Sequence, residues 1–214
     1  RRGPAGGWTV ISEHVEIEAK MSAEDVHEIH FDEYMRTTYQ VKNFIKVCGP
    51  DYYYESGENV LRHRVDRVDH HELTVKCRKS TTSTRDRLEV DLHFAPKTTP
   101  ADVQKLLGAI GFKKVINLVK DARIYWVQFT KSLAVTFVLY DSWLTYEDGT
   151  EIPGTTKRFI EIEAEKGSNV SHDTAKRYIR NLVEQLREKF KLGEPLNESL
   201  WEIYSGKKYK TVSL

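Results

Sequence analysis

From His14 to Met21 the chain reads HVEIEAKM, with Val15, Ile17, Ala19 and Met21 at odd positions and Glu16, Glu18 and Lys20 at even ones. Successive side chains of a strand point to opposite faces, so this spacing predicts a strand with one apolar and one wholly ionic face. Taken singly it is the pattern of any half-buried antiparallel strand whose polar side meets water. The division recurs, however. In NVLRHRVD, Arg62 and Arg64 oppose Leu61, His63 and Val65. In ELTVKCRKS, Lys76 and Arg78 oppose Leu73, Val75 and Cys77. DRLEVDLHF sets Arg87, Glu89, Asp91 and His93 against Leu88, Val90, Leu92 and Phe94, and RFIEIEAE sets Glu161, Glu163 and Glu165 against Ile160, Ile162 and Ala164.

Three segments carry helical spacing instead. SAEDVHEIHFDEYMR offers Ser22 as an N-cap, with Val26, Ile29 and Met35 apolar. TTPADVQKLLGAIGF has Thr99 before Pro100, then Val103, Leu106, Leu107 and Ile110, and Gly111 as a stop. SHDTAKRYIRNLVEQLREKFKLG begins at Ser171, repeats Ile179, Leu182, Val183, Leu186 and Phe190, and ends before Gly193. The remainder alternates between turn signals such as Ser56-Gly57 and Asp148-Gly149, giving eight or nine strands and an α+β class.

Composition narrows the function. In 214 residues, 33 Lys and Arg against 32 Asp and Glu leave a formal charge of +1, so any charge-based chemistry is local and no global field draws in nucleic acid or an anionic membrane. Cys48 and Cys77 have no CxxC spacing, which argues against a disulfide framework or a thiolate metal site and for a reducing compartment. Without an apolar run of spanning length or an apolar signal core, the expectation is a cytoplasmic protein with no membrane association. Residues 1–7 read as a disordered tail or expression remnant, and residues 8–214 as one domain.

Like-charged carboxylates two residues apart, at Glu16/Glu18, Glu89/Asp91 and Glu161/Glu163, repel unless cations lie between them. If the sheet closes, its ionic face becomes a lumen bringing Glu16, Glu18, Glu89, Asp91, Glu161 and Glu163 together with Lys20, Arg62, Arg64, Lys76, Arg78 and Arg87. Each unpaired buried charge costs several kcal/mol, so such a lumen must hold water, metal and an anion. Carboxylate oxygens without Cys or a His pair suit Mg²⁺ or Mn²⁺, and convergent Arg and Lys suit phosphate oxygens. A metal-chelated polyphosphate satisfies both. His63, His70 and His71 lack metal-ligand spacing and read as packing or turn residues, whereas His93 shares the ionic face.

The ordered set EIEAK, DYYYE, LRHR, LTVKC, RLEVD, GFKKV and FIEIE resembles the CYTH superfamily, or triphosphate tunnel metalloenzymes, from Trp8 to about Tyr204. That superfamily includes class IV adenylyl cyclases, thiamine triphosphatases and inorganic triphosphatases. The resemblance implies a closed antiparallel eight-stranded β-barrel, the triphosphate tunnel, with flanking helices. It makes Glu16 and Glu18 metal ligands together with Asp141, Glu161 and Glu163, and makes Lys20, Arg62, Arg64, Lys76 and Lys120 triphosphate binders. Glu89 and Asp91 join the metal set, Arg78 and Arg87 the substrate set, and Glu16, Glu18, Lys20 and Lys76 the catalytic group. One departure stands out: VKDARIYW places Lys120 and Arg123 three apart, on opposite faces of a regular strand. Either a bulge returns Arg123 to the lumen or Ala122 has replaced the expected arginine.

The activity implied is metal-dependent hydrolysis of a small-molecule triphosphate by a monomer or homodimer. The alternatives are a class IV-like adenylyl cyclase, then an RNA 5′-triphosphatase reaching nucleic acid only at a chain end, then a binder without turnover. The stretch DSWLTYEDGTEIPGTTKRF is long for a hairpin and is expected to form a lid or a partner surface.

Overall fold

The computed structural model describes residues 10–57, 59–67, 70–78, 85–94, 98–131, 133–164 and 170–208. Its strands are β1 (Val10–Ser22), β2 (Val41–Ser56), β3 (Asn59–Arg67), β4 (His70–Arg78), β5 (Arg85–His93), β6 (Lys113–Gln128), β7 (Ala134–Leu144) and β8 (Lys157–Ala164). The helices are α1 (Glu28–Thr38), α2 (Pro100–Ala109), α3 (His172–Phe190) and α4 (Leu200–Ser205). The result is an α+β fold in which eight antiparallel strands, ordered β1-β5-β4-β3-β2-β6-β7-β8, are flanked by helices. β1 is shared between the two ends of this order. It pairs with β5 from Val10 to Glu18 and with β8 from Glu18 to Ser22, so Glu18 alone pairs with both strands.

The apolar faces go where the alternation sends them. Outward residues of β1, β6, β7 and β8, including Met21, Tyr125, Phe137, Leu139, Ile160 and Ile162, form the main core beneath α1 and α3. Tyr54 and Leu61 pack on the buried face of α2, through Val103 and Leu107. A separate apolar group lies on the other side of the sheet: Tyr53, Val60, Leu118, Ala122, Val138, Tyr140 and Phe159 meet Leu200 and Trp201 of α4. Trp201 donates from Nε1 to Glu55 at 2.9 Å, and Tyr204 donates to the Ser142 carbonyl at 2.6 Å, fixing α4 there. Among the described residues no helix is long and apolar enough to cross a membrane.

Helix ends show where local signals prevail. Thr99 and Asp102 form a reciprocal capping box with Pro100 inside it, so α2 starts where expected. Its apolar stripe is narrower than expected, with Val103 and Leu107 buried but Leu106 and Ile110 exposed. Ser22 does not cap α1. It pairs with Phe159 as the last residue of β1, and the ladder continues through the Ala23 amide to the Arg158 carbonyl at 2.9 Å. α1 therefore begins six residues later, burying Phe31 and Met35 while Ile29 stays exposed. α3 is capped at its start by Ser171 and at its end by Lys191, which lies in the left-handed region at φ 54°, two residues before the expected glycine.

Candidate functional site

The face bearing Tyr53 and Leu118 also bears the charges. Cross-strand partners share a face in an antiparallel ladder. Asp51 therefore lies beside Arg64, Lys20 beside Glu161, and Glu18 beside Glu163. Lys120 belongs to the same face, alternating along β6 with Leu118 and Ala122.

Three ionic groups result. Around Glu161, Lys120 Nζ lies 3.0 Å from Oε2, Lys20 Nζ 3.9 Å from Oε1, and the Tyr140 hydroxyl donates to Oε1 at 2.8 Å. Lys120 also sits over the Tyr140 ring, 3.7 Å from its centroid. In the second group Arg64 donates to Asp51 through Nε and Nη2, both at 2.8 Å, with Asp51 only 1% exposed. In the third, Arg62 Nη2 donates to Glu72 at 3.2 Å and to the Thr74 hydroxyl at 3.0 Å, and Thr74 Oγ1 lies 3.0 Å from Asp91 and 3.1 Å from Glu72. His93 Nδ1 approaches Glu72 to 3.7 Å. Arg62 Nε is buried without a hydrogen-bond partner.

The surroundings shift these groups in interpretable directions. Burial by itself would raise the Asp51 carboxyl, yet Arg64, supported by Arg62 and Lys120, holds it down to about 2. Glu161 is lowered in the same way, chiefly by Lys120 against its own burial. Burial lowers Lys120, partly offset by Glu161. Burial and the neighbouring Glu161 carboxylate raise the Tyr140 phenol far above its usual range, so it remains a neutral donor.

The expected residues divide into those gathered here, those sent elsewhere and those whose side chains are outside the described set. Glu18, Lys20, Arg62, Arg64, Asp91, Lys120, Glu161 and Glu163 share the ionic face. Asp141 does not. It is Arg158's cross-strand partner on the opposite face, where Arg158 grips it through Nε and Nη2, both at 2.7 Å, and also donates to the Val26 carbonyl. Arg123 also points away, forming an ion pair with Glu28 of α1. No register shift interrupts β6 between Lys120 and Arg123, so Ala122 holds the inward position. For Glu16, Lys76, Arg78, Arg87 and Glu89 only the backbone is described; its register sets Lys76 opposite Glu89 and Glu16 opposite Arg87.

Four contributors were not anticipated: Asp51, Glu72, Thr74 and Tyr140. Asp51 and Glu72 did carry a signal, because Asp51 precedes Tyr53 by two and Glu72 precedes Lys76 by four, both on inward parity. His63 and His71 pack within the sheet's other face, Nε2 of the first 3.2 Å from Nδ1 of the second. Among the described residues no three His, Cys, Asp or Glu side chains converge as a metal-binding group.

The CYTH domain profile matches residues 14–194. By structure the chain is similar to the PH1819 protein of Pyrococcus horikoshii OT3, at 24% identity and TM-score 0.62, covering 90% of this chain and 99% of that one. It is similar to the PH1012 protein of the same organism at 15% identity and TM-score 0.56, covering 87% and 98%. A chain of the Schizosaccharomyces pombe Mediator head module, at 9% identity and TM-score 0.50 over 84% and 96%, shares the fold. No curated protein matches the chain.

Proposed function

The chain belongs to the CYTH domain family, and from that premise we propose that it is a metal-dependent triphosphatase whose eight strands enclose a tunnel for a small-molecule triphosphate. Residues 8–214 make one such tunnel domain, acting in the cytoplasm. The observation that carries the reading is the buried, unpartnered Nε of Arg62 on a face that also bears Arg64, Lys20 and Lys120. An unmet guanidinium donor is costly inside a protein, and a phosphate oxygen is the acceptor its fork geometry suits.

The carboxylates fit a hard divalent cation. Glu18 and Glu163 are direct cross-strand partners, which sets two carboxylates side by side. Their oxygens would hold Mg²⁺ or Mn²⁺, beside a Glu161 that Lys120, Lys20 and Tyr140 engage. When bound, the metal supplies charge neutralisation on the phosphate chain and acidifies a water molecule. The protein's own groups do the rest. Arg62 and Arg64 bind and orient phosphate oxygens and stabilise charge on the leaving group, Lys20 and Lys120 neutralise the chain's remaining charge, and Tyr140 holds the Glu161 carboxylate in place by its hydrogen bond. No covalent nucleophile is needed.

Cyclisation of ATP is the second reading, favoured by the same phosphate groups but requiring a ribose hydroxyl held in line with the α-phosphate. A product screen separates the two. Incubation with tripolyphosphate, ATP and thiamine triphosphate plus Mg²⁺ or Mn²⁺ yields orthophosphate for the hydrolase. Pyrophosphate with cyclic AMP as the main products from ATP would replace it with the cyclase.

A further inference from the structure

Asp51 is out of place in a site built for a polyanion. Its carboxylate lies directly across the β2–β3 ladder from Arg64, occupies two of that guanidinium's donors at 2.8 Å, and is almost wholly shielded from water. It is the bidentate geometry in which arginine binds phosphate. The other cations are differently engaged: Lys20 and Lys120 share the single Glu161 carboxylate, and Arg62 retains a buried donor with no partner.

We infer that Asp51 is a built-in counter-anion that competes with a substrate phosphate group for Arg64 and thereby sets how tightly the triphosphate is held. This rests on the triphosphate reading above. Without a substrate anion in the site, Arg64 is a half-buried cation, 26% exposed, with Glu72 across the β3–β4 ladder, and Asp51 supplies its bidentate partner. With a triphosphate present, the Arg64 fork must be shared or exchanged, and the fixed negative charge of Asp51 repels the incoming phosphate. Both effects weaken binding and speed release. The alternative is that Asp51 orients Arg64 for substrate, and it predicts the opposite sign.

The test is calorimetric titration of tripolyphosphate, at fixed Mg²⁺, into the wild type, Asp51→Asn, Asp51→Glu and Arg62→Ala. Asn has the shape of Asp without its charge, so Asp51→Asn is expected to bind tripolyphosphate at least tenfold more tightly, while Asp51→Glu stays near wild type. Thermal unfolding gives a second readout, the rise in midpoint on adding tripolyphosphate, which a purely structural role leaves as in the wild type. Asp51→Asn is expected to lose stability without ligand and to gain more from tripolyphosphate than the wild type gains, because the anion replaces the missing carboxylate. Should Asp51→Asn fail to fold alone, refolding it in tripolyphosphate and in chloride decides. Folding only with the polyanion supports the inference, and failure in both overturns it. Wild-type binding that Arg62→Ala weakens, with Asp51→Asn binding equally or less tightly, overturns the inference while the triphosphate reading stands. No binding to any of the four proteins removes both.

Discussion

Replacing Glu161 with Gln tests the electrostatic account of the site without altering its shape. The amide keeps an oxygen to accept the Tyr140 hydrogen bond, now 2.8 Å long, but carries no charge. Lys120, 3.0 Å away, and Lys20, 3.9 Å away and 2% exposed, then lose the carboxylate they share. Removing one partner of a buried ion pair costs about 3–5 kcal/mol, and a carboxylate serving two lysines belongs in the upper half of that range. With a urea dependence of about 2 kcal/mol per molar, a loss of about 4 kcal/mol lowers the unfolding midpoint by about 2 M at pH 7. The acid limb follows from the direction of the shift. The folded Glu161 carboxyl is held below its ordinary 4.5, so its contribution is complete above that value and is lost as pH falls toward the folded one. The gap between wild type and Glu161→Gln therefore closes in acid. The double variant Lys120→Met/Glu161→Gln recovers part of the loss, since one uncompensated ammonium is gone. An unchanged midpoint at pH 7, or a gap that persists at low pH, refutes the assignment of Glu161 as the shared counter-charge.

Other expectations are independent of that one. Arg62→Ala weakens tripolyphosphate binding by about 1.5–3 kcal/mol and pyrophosphate binding by less, measured by calorimetry, because it deletes charged hydrogen bonds to a longer anion. Arg123→Ala leaves tripolyphosphate affinity unchanged and raises hydrogen exchange in α1, because its ion pair is to Glu28 rather than to a group of the ionic face. Burial and the neighbouring His71 lower His63 to about 4, below its ordinary 6.5, so the fold favours the neutral ring. Stability is then complete above pH 6.5 and falls toward pH 4 by up to about 1.4 kcal/mol per unit; His63→Leu flattens that slope in urea titrations across this window.

Much of the site was readable because strand parity is a local property. Once Arg62, Arg64, Lys20, Glu161 and Glu163 fall on alternate positions of recognisable strands, the face they share follows from the pleat. The failures occur where that signal is missing or where pairing is decided at long range. β7 is buried along both sides, between the α1/α3 core and the α4 side, so AVTFVLYDSWL shows no polar alternation and Asp141 could not be assigned a face. Tyr140, its inward neighbour, was hidden for the same reason. Asp51 stands before three tyrosines that mask the alternation, and its role depends on the β2–β3 register, which sets it opposite Arg64. Ser22 had the chemistry of a helix cap but lay in reach of β8, where ladder pairing takes precedence. α4 has six residues, too few for a helical period to be visible, yet its Ser199–Glu202 capping box was present in the sequence.

The most direct test of the central claim is phosphorus NMR of tripolyphosphate incubated with the wild type in Mg²⁺ or Mn²⁺, with a chelated control and Arg62→Ala alongside. Orthophosphate is expected to appear with the metal and wild-type protein, to be abolished by chelation and to form much more slowly in Arg62→Ala. Intact tripolyphosphate after prolonged incubation with either metal, or orthophosphate released equally by Arg62→Ala, would contradict it.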